Sequence, residues 1–480
     1  MTEHSNEGVR GMSPLWTSAE IEAATGGVAS APFEVTGITF DSREVEPGHL
    51  FVAMPGTVHD GHEFVAGAFE RGAIAAIVSK PVDGPHVLVS DIADALTAMA
   101  AASRNRLDPK ALVIGVTGSV GKTSTKEALA AALERSRKGH VHRSVKSYNN
   151  HTGVPLSLAR MPRETCFAVL EMGMSAAGEI AALTRLVRPH IAIVNAIAAA
   201  HIEHLGSIEA IADAKGEIFE GLEGPKVAII PEDSHQRDRL VKAARGHADE
   251  TITFGRSQDA DVHAVHAVNS SAGGSLITAR LLSSEVTFTL SQRGQHWISN
   301  ALAVLAAVEA AGCDLAAAGL ALGDLGGLKG RGERHTIRID GGEALLIDES
   351  YNANPASMAA TLKSLGEENV QGRRIAVLGP MRELGAESER AHEDIGEFAL
   401  EAGIDRLILI GPEYGGLVSA FHDKVAIDRA ADVDQAIAVL KGRLASGDAV
   451  LVKASNSVGL ARLVEVMAVG RELVNEGPDH

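Results

Sequence analysis

ALVIGVTGSVGKTSTKEALAAAL, residues 111–133, decides the fold. An apolar run, ALVIGVTG, meets Ser119-Val120-Gly121-Lys122-Thr123-Ser124 and gives way to an alanine-rich helical pattern. The order of strand, glycine turn and helix aims the N–H groups of the turn and the positive end of the helix at an anion. Lys122 then falls on the outer phosphate oxygens of a nucleotide, and a hydroxyl of Thr123 or Ser124 on Mg2+. The strict spacing of a phosphate-binding loop asks for glycine at position 116, where Val116 stands; the glycines are Gly115, Gly118 and Gly121, so the loop is a variant. A glycine turn that only ends a buried strand is the bland alternative, and it leaves the Lys-Thr-Ser run unexplained. The loop specifies a nucleoside triphosphate, not the reaction that follows.

Outward from this stretch, near-continuous apolar runs recur at 167–173, 191–197 and 227–231 with helical stretches between them, as expected of a parallel sheet covered on both faces. Between 251 and 290 the pattern changes to short alternating segments such as Val286-Thr287-Phe288-Thr289-Leu290, which suit antiparallel strands with one solvated face. An alanine-rich helix is expected at 299–311. GDLGGLKGRG, 323–332, carries five glycines and reads as a connector. Strand-helix alternation then restarts with 344–348, 375–379, 407–411 and 449–453, a second doubly wound unit. A smaller α/β region precedes residue 105. The expected class is therefore α/β with three domains, 1–107, 108–328 and 329–480, the central one an ATPase-type phosphate-loop unit with a mostly parallel sheet.

The formal charge of −18, from 44 basic and 62 acidic residues, and an aromatic content of 3% argue against an extended nucleic-acid surface. Cys166 and Cys313 lie in apolar contexts without metal-type spacing and read as small core residues of a reducing compartment. The first residues, MTEHSNEGVRGMSPLW, lack a signal pattern, and no apolar run approaches the roughly 18 residues of a membrane helix. A soluble cytoplasmic monomer without stable membrane insertion is expected.

Several polar clusters follow buried strands. Glu171 ends the run at 167–173, and carboxyl ends of strands face the ligand crevice, so Glu171 is placed to reach a metal held by the loop hydroxyl rather than to stand solvated. His201, in AHIEH at 200–204, reads equally as a ligand or as a satisfied polar residue. Lys215 lies in a helical stretch near Asp213 and Glu217, and by its own residues reads as an exposed ion-paired lysine. Asn149, Asn150 and His151 either hydrogen-bond a ligand or cap the helix that begins near Pro155. Asp348-Glu349-Ser350-Tyr351-Asn352-Ala353-Asn354-Pro355 suggests a second half-site closing over the nucleotide, with Asn354 capping the next helix.

DSREVEPGHLFVAMPG, DGHEF, TGSVGKTS, SYNNHTGVPLSL, EMGMSAAGEI, NAIAAAHIEHLGS, AKGEIF, DESYNANPASM and LGPMRELG, taken together, resemble the Mur ligases, the ATP-dependent amide-forming enzymes of peptidoglycan precursor synthesis. The likeness covers nearly the whole chain. NNHTGVPL, the EMG run and DESYNANP point within that family to the members that join D-alanyl-D-alanine to UDP-N-acetylmuramoyl-tripeptide. The resemblance implies a UDP-sugar domain, a central ATPase and a Rossmann-like C-terminal domain that closes on it. It implies ATP and Mg2+ as cofactors, with Gly118, Ser119, Gly121, Lys122, Thr123 and Ser124 about the phosphates and Thr123, Glu171 and His201 about the metal. Lys215 matches a family lysine that becomes carbamylated and helps hold a second Mg2+. Asn300, which alone would pass for a helix cap, resembles the asparagine near adenine, and Arg331 the arginine that reaches the phosphates on closure. Asp348, Tyr351 and Asn352 resemble the nucleotide-facing part of the C-terminal domain. Ser42, Arg43, Asp60 and Gly61 resemble the uridine-nucleotide region, and Asn149 and Asn150 are expected at the substrate.

Two departures stand out. Pro380 occupies the usual aspartate of an LGDM motif, and Ala454-Ser455-Asn456 replaces Gly-Ser-Arg after Lys453, which bears on dipeptide recognition more than on the chemistry. A sister ligase adding one amino acid, or a folylpolyglutamate synthetase-like enzyme, is the nearest alternative, and DESYNANP and NNHTGVPL speak against it. A nucleotide-binding scaffold without ligation is opposed by the joint presence of Lys122, Glu171, His201 and Lys215.

Overall fold

Six residues of the apolar run become the strand Leu112–Thr117, buried from Val113 onward. It pairs in parallel with Phe167–Glu171 on one side and Ile191–Val194 on the other, Val116 opposite Glu171 and Thr117 opposite Val194. The chain thus leaves this strand in both directions, and a crevice opens at the carboxyl ends. In this computed structural model, residues 14–56, 59–200, 202–269, 274–339 and 341–468 are described. His201 lies outside them.

These strands lie toward one side of a nine-stranded sheet that runs from Glu285–Leu290 at the far edge to Val141–Arg143 at the near one. Alternate side chains feed two cores. Ile114, Val116, Val169 and Ile193 pack with the helices Lys122–Ser136 and Gln295–Ala310, whereas Val113, Leu170 and Val194 pack with Glu179–Val187 and Ile208–Gly216. This two-faced burial is what the continuous apolar runs require.

The region 251–290 departs from the expected antiparallel set at its start. Glu250–Gly255 pairs in parallel with both Val227–Pro231 and Val262–Asn269, and only the pairings of Val262–Asn269 with Ser275–Arg280 and of Ser275–Arg280 with Glu285–Leu290 are antiparallel. The last four residues of Glu250–Gly255 are buried because Gln295–Ala310 lies across them, so alternation did not mark a solvated face. That helix begins four residues before the expected position 299, with Trp297 and Ile298 already buried in its first turn. Cys166 and Cys313 are half-buried free thiols rather than core residues.

The C-terminal part forms a six-stranded sheet ordered Glu333–Ile339, Gly342–Glu349, Ala449–Lys453, Arg374–Leu378, Arg406–Ile410, Ala426–Ala430. Only the first pair is antiparallel. The helices Pro355–Gly366 and Ser388–Glu401 cover one face, Val433–Arg443 and Ala461–Ala468 the other. The N-terminal part builds a five-stranded sheet from Val28–Ala29 to Gly37–Thr39. Trp16 fastens it to the central part: its indole N–H donates to the Ala159 carbonyl at 2.8 Å, and Arg106 stacks 4.2 Å above the ring centroid. No helix among the described residues is long and apolar enough to cross a membrane.

Candidate active site

The turn after Leu112–Thr117 is possible only with glycine. Gly121 has φ +81°, and a Cβ there would lie 2.0 Å from the Asn195 side-chain nitrogen. Asn195 ties the loop together, donating to the Val120 carbonyl at 3.1 Å and to Asn300 Oδ1 at 2.8 Å while its own oxygen accepts from Thr125 at 3.1 Å. Asn300 lies within the helix Gln295–Ala310 and caps nothing; its side chain braces the phosphate loop through Asn195. Ser119 is held by its N–H on the Ala196 carbonyl and its hydroxyl on the Ala198 carbonyl.

Lys122 opens the helix Lys122–Ser136 and donates to the Gly118 carbonyl at 2.6 Å. Burial lowers its pKa, Glu171 opposes that shift and Arg331 adds to it. Thr123 Oγ1 donates to Glu171 Oε2 at 2.8 Å and meets Ser147 Oγ at 3.1 Å. Asn149 donates to the other oxygen of Glu171 at 2.7 Å, whereas Asn150 accepts from Thr152 and from the N–H of Gly153, where the next helix starts. Asn149 thus serves the site alone, whereas Asn150 both borders it and ties down the start of the next helix. Thr123, Ser147 and the fully buried Glu171 offer hard oxygen donors only, a set that fits a magnesium ion sharing its remaining positions with phosphate oxygens and water.

Lys215 is not the exposed, ion-paired lysine that its neighbours suggested. It is 1% exposed, and its ammonium has no hydrogen bond or ion pair with another described residue. Burial drives its pKa well below the ordinary lysine value, and the nearby Lys122 pushes in the same direction. The Asp213 carboxylate pairs instead with Arg239 at 2.9 Å.

The C-terminal part closes the crevice into a cavity of about 360 Å3. Ser119, Gly121, Lys122, Thr123, Ser124, Asn149, Asn150, Glu171 and Asn300 line it from the central part, Arg331, Tyr351 and Asn352 from across the crevice. Arg331 lies 4.0 Å above the Tyr351 ring and donates to Ser147 Oγ at 3.3 Å. Asp348 does not line the cavity; it is 1% exposed and accepts from the N–H groups of Gly330 and Ser350, fixing the turn that presents Arg331 and Tyr351. Gly118 also stands behind the lining. Asn354 caps Pro355–Gly366 in a reciprocal capping box with Ser357.

Sequence reasoning singled out neither His296 nor Lys453. His296, whose pKa burial pushes down to about 4, and Lys453, lowered by burial against the pull of Glu349, both line the cavity. Lys453 donates to the Asn352 carbonyl at 2.9 Å. A lysine at the carboxyl end of a buried strand was the available signal. Ser42, Arg43, Asp60 and Gly61 stand apart from this cavity in the N-terminal part. Asp41 pairs with Arg43 at 2.7 Å, and Asp60 with His62 and Lys80 at 2.6 and 3.1 Å.

Comparison with known proteins gives these groupings a context. Residues 34–116 match the Mur ligase family catalytic domain, 116–308 the Mur ligase middle domain and 330–456 the Mur ligase glutamate ligase domain. The UDP-N-acetylmuramoyl-tripeptide–D-alanyl-D-alanine ligase of Escherichia coli is 36% identical over 453 residues, covering 92% of this chain and 96% of its own. The enzyme of the same name from Bacillus subtilis is 35% identical with the same coverage. Among solved structures, MurF from Acinetobacter baumannii superimposes with a TM-score of 0.81 at 28% identity, covering 95% of this chain and 99% of that one. MurF from Thermotoga maritima in complex with ADP gives 0.74 at 29%, covering 91% and 98%. With its architecture shared along nearly the full length and relatives above the level at which kinship is plain, the chain belongs to the Mur ligase family.

Proposed function

We propose that this chain is the ATP-dependent ligase that joins D-alanyl-D-alanine to UDP-N-acetylmuramoyl-tripeptide, completing the pentapeptide precursor of peptidoglycan. The observation that carries this reading is that Lys122, Thr123 and Glu171 share one cavity with Arg331 and Tyr351 from the C-terminal part. A carboxylate becomes an acylating group only when its oxygen is given a better leaving group. The γ-phosphoryl group of ATP passes to the terminal carboxylate of the tripeptide, and the dipeptide amine then attacks the acyl carbon, expelling phosphate and losing a proton. Lys122, the N–H groups of the loop and Arg331 surround the transferring group with positive charge, so positioning and electrostatics supply most of the acceleration. Thr123 and Glu171, with His201 by family likeness, are the residues to hold magnesium, which when bound neutralises phosphate charge.

Lys215 enters this reading as a carbamate. Burial and the neighbouring Lys122 lower its pKa, which favours the free, nucleophilic amine. The nitrogen lone pair bonds the carbon of CO2, one C–O π pair moves to oxygen, and a nitrogen proton leaves to solvent. The product is an anionic oxygen ligand suited to a second magnesium. Ser42, Arg43, Asp60 and Gly61 are assigned to the uridine nucleotide and Asn149 and Asn150 to the edge of the substrate, in a three-domain cytoplasmic monomer divided at about 107 and 328.

Phosphate release from ATP and Mg2+ with UDP-N-acetylmuramoyl-tripeptide, measured with and without D-alanyl-D-alanine, tests the reading. Release that needs the dipeptide, and a UDP-linked product heavier by the dipeptide less water, are the expected results. Turnover with a single amino acid in its place would transfer the chain to a sister activity.

A further inference from the structure

Four residues after Lys122 stands a second lysine that the reaction does not use. Lys126 has a fully buried side chain. Its ammonium donates to the carbonyls of Ser144 at 2.8 Å and Lys146 at 2.5 Å, and pairs with Glu127 at 3.0 Å. It also lies 3.8 Å from Glu171 Oε2, the oxygen that Thr123 holds from one turn earlier on the same helix face. A buried ammonium is costly unless every donor finds a partner, and here both carbonyl partners belong to one short turn, residues 144–149.

That turn supplies much of the polar setting of the site. The Ser144 hydroxyl accepts from the backbone N–H of Glu171 at 3.1 Å. Ser147 meets Thr123 and Arg331, and Asn149 holds Glu171 Oε1 while its carbonyl accepts from the Gly173 N–H at 2.8 Å. Lys146 adopts φ +51°, an unusual conformation for a residue with a side chain, and the bond to its carbonyl helps hold it there. The turn also faces outward. The Lys146 ammonium pairs with Glu44 of the N-terminal part, and the Tyr148 hydroxyl donates to the same carboxylate at 3.4 Å.

We propose that Lys126 is a positioning residue: it pins the 144–149 turn so that Ser147 and Asn149 hold Thr123 and Glu171 in the arrangement the nucleotide phosphates require. Through Lys146 and Tyr148 the same pin registers the phosphate loop against the N-terminal part. This rests on the nucleotide reading above, and its test needs binding alone, without ligation.

The test is a double-mutant cycle of Lys126→Met and Asn149→Ala, with ATP and Mg2+ titrated by calorimetry in the absence of acceptor and Tm recorded for each variant. Each single change is expected to raise the Kd for ATP about tenfold, and the double change by little more than about tenfold, because Lys126 acts through Asn149 and its neighbours. A double variant weakened by the product of the two, about a hundredfold, overturns the proposal. So does Lys126→Met that loses Tm yet binds ATP like the wild type, the mark of a merely structural lysine. Lys126→Gln, shorter and uncharged, cannot reach both carbonyls and carries the same cycle should Lys126→Met not fold. A wild-type chain that binds no ATP overturns the ligase reading and this one together, whereas binding with an additive cycle overturns this one alone.

Discussion

Burial lowers the pKa of Lys122 and drives that of Lys215 well below the ordinary lysine value, with Lys122 adding to the second shift. A lysine whose pKa burial drives down gives up its proton more readily than a free one, and the free amine is the form that reacts with CO2, which has a direct spectroscopic consequence. In 13C-bicarbonate, the wild-type chain should show a carbamate carbon resonance that Lys215→Ala lacks, and the variant should lose activity by about a hundredfold or more if the carbamate holds a catalytic metal. Two histidines carry a prediction of another kind. Burial pushes the pKa of His142 and His296 down to about 4 from 6.5. Between those values the unfolded chain binds protons that the folded chain refuses, so their contribution to stability is complete above 6.5 and is lost as the pH falls toward 4. Tm measured across that interval should fall, and His142→Gln, whose amide still donates to the Ser157 carbonyl accepting at 2.7 Å, should flatten part of the slope. An unchanged slope would remove His142 from the account.

The strand, turn and helix around Gly121 show what a sequence reveals and what it withholds. Gly121 could be read from the loop pattern because φ +81° and a Cβ contact at 2.0 Å are demands local to the turn. Gly121→Ala is accordingly expected to cost about 1–3 kcal/mol of stability and to abolish measurable ATP binding, with thermal unfolding and calorimetry as the two checks. Glu171 was legible for a similar reason, since an acid ending an apolar strand has few places to go but the crevice. Lys215 was not, because the alanines of its helix leave no marked apolar stripe to show which side is buried. Asn300 looked like a cap because the polar residues before it hid the first turn of Gln295–Ala310, where Trp297 is buried by the sheet. The parallel course of Glu250–Gly255 was hidden too, since alternation reports which face is wet and not which neighbour pairs. His296 and Lys453 lie far apart in sequence and meet only when the C-terminal part is docked.

That docking has an ionic fastening. Glu368 of the C-terminal part is 4% exposed and accepts from Arg334 through both oxygens, at 2.8 Å each, and from Arg293 of the central part at 2.7 Å. Arg293→Ala leaves the Arg334 fork in place, so Tm should change little while the C-terminal part loosens. A fall of about tenfold in kcat/KM and a larger radius of gyration by small-angle scattering are expected; unchanged scattering would argue against the fastening. The same three charges bear on the efficiency of the enzyme as a converter of chemical potential. A cavity roofed by one domain and floored by another keeps water from the acyl phosphate only while the roof is seated. The quality of the Glu368 contact therefore sets a stoichiometry: seated, each phosphate released corresponds to one amide bond, and a slack roof turns the surplus into futile hydrolysis that a rate measurement on product alone would miss.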